Sequence, residues 1–81
     1  MDLSDSLRFL ERPGCHLCDD AWEIVDDLGH GAVERVDIEH DDALLMTYGL
    51  RIPVLLKGEE VLAEGRFDQR SLKKQLKRLA R

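Results

Sequence analysis

Two cysteines, Cys15 and Cys18, are the side chains in this sequence best placed to do chemistry. They are spaced C-x-x-C and follow Pro13-Gly14, a pair that breaks regular structure. Immediately after them the apolar residues fall into helical spacing, so the pair sits where a loop hands over to a helix. The first turn of a helix offers unpaired N–H groups and the positive end of the dipole, and both favour a thiolate over a thiol. The thiolate is the reactive form, which makes Cys15 the candidate nucleophile. Arg12 adds a second positive influence, and His16, if protonated, a third. Asp19 and Asp20 act in the opposite sense, because negative charge raises a thiol pKa. Cys18 lies one turn further in, close enough to close a disulfide and better buried.

Two other uses of such a pair compete with this one. Free cysteines commonly fill a core, but Cys15 stands at a Pro-Gly loop rather than in a packed stripe. A structural zinc site wants four ligands. Only His16, His30 and His40 are available beside the cysteines, and His16 cannot easily point inward with both. No metal is expected.

The rest of the chain supplies the elements that would hold the pair. Ser6 to Glu11 reads as a strand that stops at Arg12-Pro13-Gly14. From Cys15 onward, Leu17, Ala21, Ile24, Val25 and Leu28 recur at helical spacing, with Asp19, Asp20, Glu23, Asp26 and Asp27 opposite. Gly29 and Gly31 are expected to close that helix. Ala32 to Ile38 is β-branched and alternating, a second strand. Asp41 or Asp42 caps a short helix that Gly49 ends. Ile52 to Leu56 is a third strand with Pro53 near its start, and Lys57-Gly58-Glu59 turns into a fourth, Glu60 to Glu64. Asp68 caps a last helix whose buried stripe is Leu72, Leu76 and Leu79. The order β-α-β-α-β-β-α implies an α/β fold, a four-stranded mixed sheet with helices packed over it.

Eighty-one residues make one domain, residues 1–81, with one modest core. Hydrophobic residues at 43% are too many for a disordered chain. The net charge of −5 argues against a nucleic-acid partner, which needs a basic surface. The charge is uneven: residues 66–81 hold seven basic groups and one acid. That tail reads as the solvated face of the last helix. No stretch approaches the ~20 apolar residues of a membrane span, and the acidic N-terminus lacks the apolar run of a secretory signal. A cytoplasmic location is expected, and there a C-x-x-C pair is catalytic or metal-binding rather than a structural staple.

These features together resemble the glutaredoxin branch of the thioredoxin superfamily across essentially the whole chain, and most of all the short bacterial glutaredoxin-like proteins. The likeness rests on Arg12-Pro13-Gly14-Cys15-His16-Leu17-Cys18, on Ile52-Pro53-Val54, on Gly65-Arg66-Phe67-Asp68, and on the element order. It implies a thioredoxin-like fold with helices on both sheet faces and a redox role for Cys15 and Cys18, supported by Arg12, His16 and Pro53. Pro53 is expected to follow a cis bond and, with Ile52, to present backbone to an extended substrate. Gly65, Arg66 and Asp68 are expected to meet an anionic or peptide-like partner. The family's usual Cys-Pro-Tyr-Cys is Cys-His-Leu-Cys here, and Glu64 stands in place of a glycine. Glutathione is therefore expected to bind weakly, and no bound cofactor is expected.

The function expected is that of a monomeric thiol–disulfide oxidoreductase acting on a disulfide-containing protein or a small thiol. The alternative is a thioredoxin-fold binding or adaptor module whose cysteines are a redox switch with little turnover. A copper-chaperone type also places C-x-x-C after its first strand. It ends on a strand, however, whereas this chain ends on a helix.

Overall fold

The computed structural model describes residues 7–28 and 33–79. Its elements are β1 (Leu7–Glu11), α1 (His16–Asp27), β2 (Val33–Asp37), a single 3-10 turn (Ile38–His40), α2 (Asp42–Tyr48), β3 (Val54–Lys57), β4 (Glu60–Glu64) and α3 (Gln69–Leu79). The four strands form one mixed sheet in the order β2-β1-β3-β4. β1 runs parallel to β2 and antiparallel to β3, and β3 runs antiparallel to β4.

Both faces of this sheet are covered, which is why β1 and β3 read as near-continuous apolar runs. On one face Leu7, Phe9, Leu55 and Leu62 meet Ala21 and Val25 of α1 and Phe67, Leu72 and Leu76 around α3. On the other face Leu10, Val54 and Leu56 pack with Ile38, backed by Leu44, Leu45 and Tyr48 of α2. Successive side chains of a strand point to opposite faces, so Phe9 and Leu10 anchor different layers, and both are fully buried. A bulge between Leu55 and Leu56 lets Leu62 and Ala63 of β4 both reach the α1–α3 layer.

Trp22 on α1 leans on Phe9 with ring centroids 5.3 Å apart, and Phe9 meets Phe67 edge-on at 5.9 Å. The Arg35 guanidinium covers the outer face of the indole, 4.2 Å from the ring centroid. Glu11 of the neighbouring strand holds that guanidinium through two hydrogen bonds of 2.9 Å. The hydrogen bond to Glu11, with the nearby charge of that carboxylate, raises the Arg35 pKa.

Several expected boundaries move, each for a local reason. Asp37 accepts the Glu39 N–H at 3.0 Å and turns the chain, so Ile38 leaves the strand and becomes a buried plug beneath α2. β3 begins at Val54 rather than Ile52, because the Arg51 and Ile52 N–H groups both bond back to the Tyr48 carbonyl and Pro53 has none to give. Asp41 is the residue that caps α2, accepting the Leu44 N–H at 3.1 Å. Gly58 opens the β3–β4 hairpin with φ +62°, a sense of turn that suits glycine. α1 ends at Asp27 with Leu28 as its C-cap. Ser6, Gly29, Gly31, Ala32 and the Leu79 side chain lie outside the described residues. Among the described residues no helix is long and apolar enough to cross a membrane.

The layering predicts an uneven response to truncation. Leu55→Ala empties a site buried between sheet and helices and should cost about 2–5 kcal/mol in urea denaturation. Met46→Ala, at a side chain 88% exposed on α2, should change stability by less than about 0.5 kcal/mol. Equal losses at the two positions would contradict the layering.

Candidate functional site

Cys15 is the N-cap of α1. Its backbone is extended (φ −98°, ψ 110°), its carbonyl accepts the Asp19 N–H at 3.0 Å, and its Sγ accepts the Cys18 N–H at 3.1 Å. The sulfur therefore occupies the place that the side-chain oxygen of Ser, Thr or Asp takes in an ordinary cap. A neutral sulfur is a weak acceptor and a thiolate in the same place a strong one. Cys15 and Cys18 are joined as a disulfide, with their Cα atoms 5.1 Å apart. Cys18 is fully buried and Cys15 half-buried, so Cys15 is the more open of the two. Leu17 between them is 38% exposed, and His16 is exposed.

The strand register brings the other expected residues to the same end of the sheet. Leu10 pairs with Val54, so Pro53 stands beside the C-terminal end of β1, where the chain leaves for Cys15. The Ile52–Pro53 peptide bond is cis. Val54 pairs with Glu64, and the Gly65 N–H donates to the Pro53 carbonyl at 2.8 Å, tying the end of β4 to this segment. Gly65 has φ +71°, a conformation that L side chains rarely adopt. Arg66 is exposed, Phe67 turns inward, and Asp68 caps α3 by accepting the Ser71 N–H at 3.0 Å. Ile52 is half-buried against the α2 layer. Among the described residues no group of three or more His, Cys, Asp or Glu is placed to hold a metal ion.

Known proteins share this frame. Residues 6–77 match the family model described as Glutaredoxin-like domain (DUF836). This chain belongs to that glutaredoxin-like family. It is similar to the X-ray structure of protein XcR50 from X. campestris, with TM-score 0.80 and 36% identity over 90% of this chain and 97% of that one. The solution structure of XcR50 gives TM-score 0.73 and 37% identity, covering 90% of this chain and 94% of that one. A mutant thioredoxin from Halobacterium salinarum NRC-1 gives 0.68 and 27%, covering 96% of this chain and 79% of that one. No protein of curated function matches. Fold and family together support a redox-type role for the Cys15–Cys18 pair.

The charges around the site of this glutaredoxin-like domain are arranged differently from what residue spacing suggested. Arg12, expected to act on Cys15, directs its guanidinium to Glu39 of the 3-10 turn at 2.9 and 3.1 Å. Glu64, which stands where the family has a glycine, is itself paired with Arg51 at 2.6 and 3.1 Å. The hydrogen bond to Glu64 raises the Arg51 pKa, and the guanidinium also lies 5.1 Å from the centroid of the Tyr48 ring. Two partners that spacing did not single out, Glu39 and Arg51, thus neutralise the two charges that it did. A broad hollow of about 540 Å³ opens on the acidic face of α1, lined by Asp20, Glu23, Ile24, Asp26, Asp27 and Gln69, and contains neither cysteine.

Asp68 offers a test of the α3 cap. Hydrogen bonds from Ser71, the hydroxyl first and the N–H second, hold its carboxyl below the usual aspartate range. A depressed folded-state pKa stabilises the fold above the unfolded value of about 3.9 and loses that effect as pH falls through the folded one. The urea midpoint of wild type should therefore exceed that of Asp68→Ala at pH 7, and the gap should narrow below about pH 4. A gap unchanged between pH 7 and pH 2 would show that the carboxylate is not the capping group.

Proposed function

We propose that this domain is a thiol–disulfide oxidoreductase in which Cys15 attacks and Cys18 resolves. The observation that carries the reading is the sulfur of the half-buried Cys15 at the cap of α1, hydrogen-bonded to the N–H of a fully buried Cys18. In the reduced protein the Cys15 thiolate attacks one sulfur of a substrate disulfide. The S–S bond breaks, one substrate thiolate leaves, and Cys15 is held in a mixed disulfide. Cys18, deprotonated in turn, attacks the Cys15 sulfur, closes the Cys15–Cys18 disulfide and releases the second substrate thiol. An external thiol reductant then restores the dithiol by the same exchange. The segment Ile52-Pro53 and the backbone at Gly65 would line an extended substrate, with Arg66 and Asp68 at its border. The partner is a disulfide-bearing polypeptide or low-molecular-weight disulfide, met by a monomer in the cytoplasm.

Glutathione is a poor fit to this site. Arg12 and Arg51, two cations near the site, are engaged by Glu39 and Glu64, and Asp19 and Asp20 are exposed on the first turns of α1. An NMR titration should give no saturation at micromolar glutathione. Micromolar binding centred on Arg12, Pro53 and Gly65 would contradict that assignment.

The division of labour is tested with two variants. Cys15→Ser should lose reaction with disulfides and with alkylating reagents at neutral pH. Cys18→Ser should react once and accumulate a mixed disulfide on Cys15. Limiting alkylation of the reduced wild type, mapped by mass spectrometry, should label Cys15 first. Labelling of Cys18 first would overturn the assignment. Steady-state reduction of a model disulfide, coupled in parallel to glutathione and to thioredoxin reductase, separates an enzyme from a switch that turns over little.

A further inference from the structure

The proposed redox role leaves open what sets the reactivity of Cys15, and the charges beside its loop bear on this. Arg12 and Cys15 are joined by three peptide steps, which span at most about 11 Å even when extended, and the Pro13-Gly14 turn shortens that path. Two neighbouring parallel strands bring Glu39 to the same place. Glu11 pairs with Asp37, so the residues that follow each strand emerge side by side at the end of the sheet where α1 begins. Glu39 is also held firmly. Its N–H bonds the Asp37 carboxylate at 3.0 Å, and the neighbouring Ile38 is fully buried. The Glu39 carboxylate then takes two donors of Arg12 on one oxygen.

We infer that Glu39 is a positioning residue for the redox site: by holding the Arg12 guanidinium it withholds that cation from Cys15 and keeps the thiolate less favoured than the α1 cap and a released Arg12 together would make it. This rests on the assignment of Cys15 as the nucleophile. The pair is 42% exposed on each side. It therefore adds little to stability, and its removal changes the field at the sulfur without costing the fold. The other charged groups around the site are Asp19 and Asp20 on α1, His16 when protonated, Asp37 with His40 on the 3-10 turn that carries Glu39, the Arg35–Glu11 pair on the neighbouring strands, the Arg51–Glu64 pair next to the Pro53 segment, and Arg66 after β4. All are common to the variants below.

The test is the pH dependence of Cys15 alkylation in the reduced protein, compared among wild type, Glu39→Gln, Arg12→Gln and the double variant, with urea midpoints confirming that each is folded. Glu39→Gln should lower the midpoint of the profile by about half a pH unit, a rate about threefold higher on its acidic side. The same substitution in the Arg12→Gln background should produce less than half that shift, because no guanidinium remains to be released. Glu39→Asp, which keeps the carboxylate, should stay near wild type. The effect should fade in 1 M salt, where the screening length falls to about 3 Å. No shift in Glu39→Gln, or an equal shift in both backgrounds, would overturn the inference while leaving Cys15 as nucleophile. Should Cys18 prove to be the thiol alkylated, both this inference and the redox assignment fail.

Discussion

The hydrogen bond from the Cys18 N–H to the Cys15 sulfur, 3.1 Å long, joins the start of a helix to the group that would react. A helix must satisfy its first N–H groups, and here a cysteine does so. The local cost of using a poor acceptor falls as the thiol ionises, so helix capping and thiolate formation favour one another. That coupling needs α1 fixed against the sheet. Ala21, Val25 and Trp22 supply this by packing on Phe9, and the Arg35 bridge to Glu11 closes the outer side of the indole.

The sheet determines what surrounds the sulfurs. β1 leads into Cys15, β3 begins just after Pro53, and β4 ends just before Gly65, all at one end of the sheet, with the Gly65–Pro53 hydrogen bond joining two of the three. Some of the charges near this site are held in matched pairs, Arg12 with Glu39 and Arg51 with Glu64, while Asp19, Asp20 and Arg66 are exposed around it.

Much of this was legible in the sequence because the features are local. The change of period after Cys15, the glycine turn at Gly58, the Asp68 cap and the stripe of Leu72 and Leu76 each depend on a few neighbours in the chain. Cys15, Pro53 and Gly65 were found through motif and element order. The partners of Arg12 and Glu64 could not be found that way. Glu39 lies 27 residues from Arg12, and Arg51 lies 13 from Glu64, and only strand register and loop geometry decide which carboxylate a long side chain reaches. The same limit explains Ile38, which reads as strand by alternation yet leaves the sheet because the Asp37 side chain captures the next N–H.

The proposed chemistry requires Cys15 and Cys18 to be a working redox couple and not a structural bridge. Its most direct test is the reduction potential, measured by equilibrating the protein with defined dithiol–disulfide buffers and quantifying free thiols by alkylation and mass spectrometry. The account predicts a single reversible two-electron transition in the range of catalytic C-x-x-C pairs, about −270 to −120 mV. A potential below about −300 mV, where structural disulfides lie, or the absence of any reversible transition would contradict it.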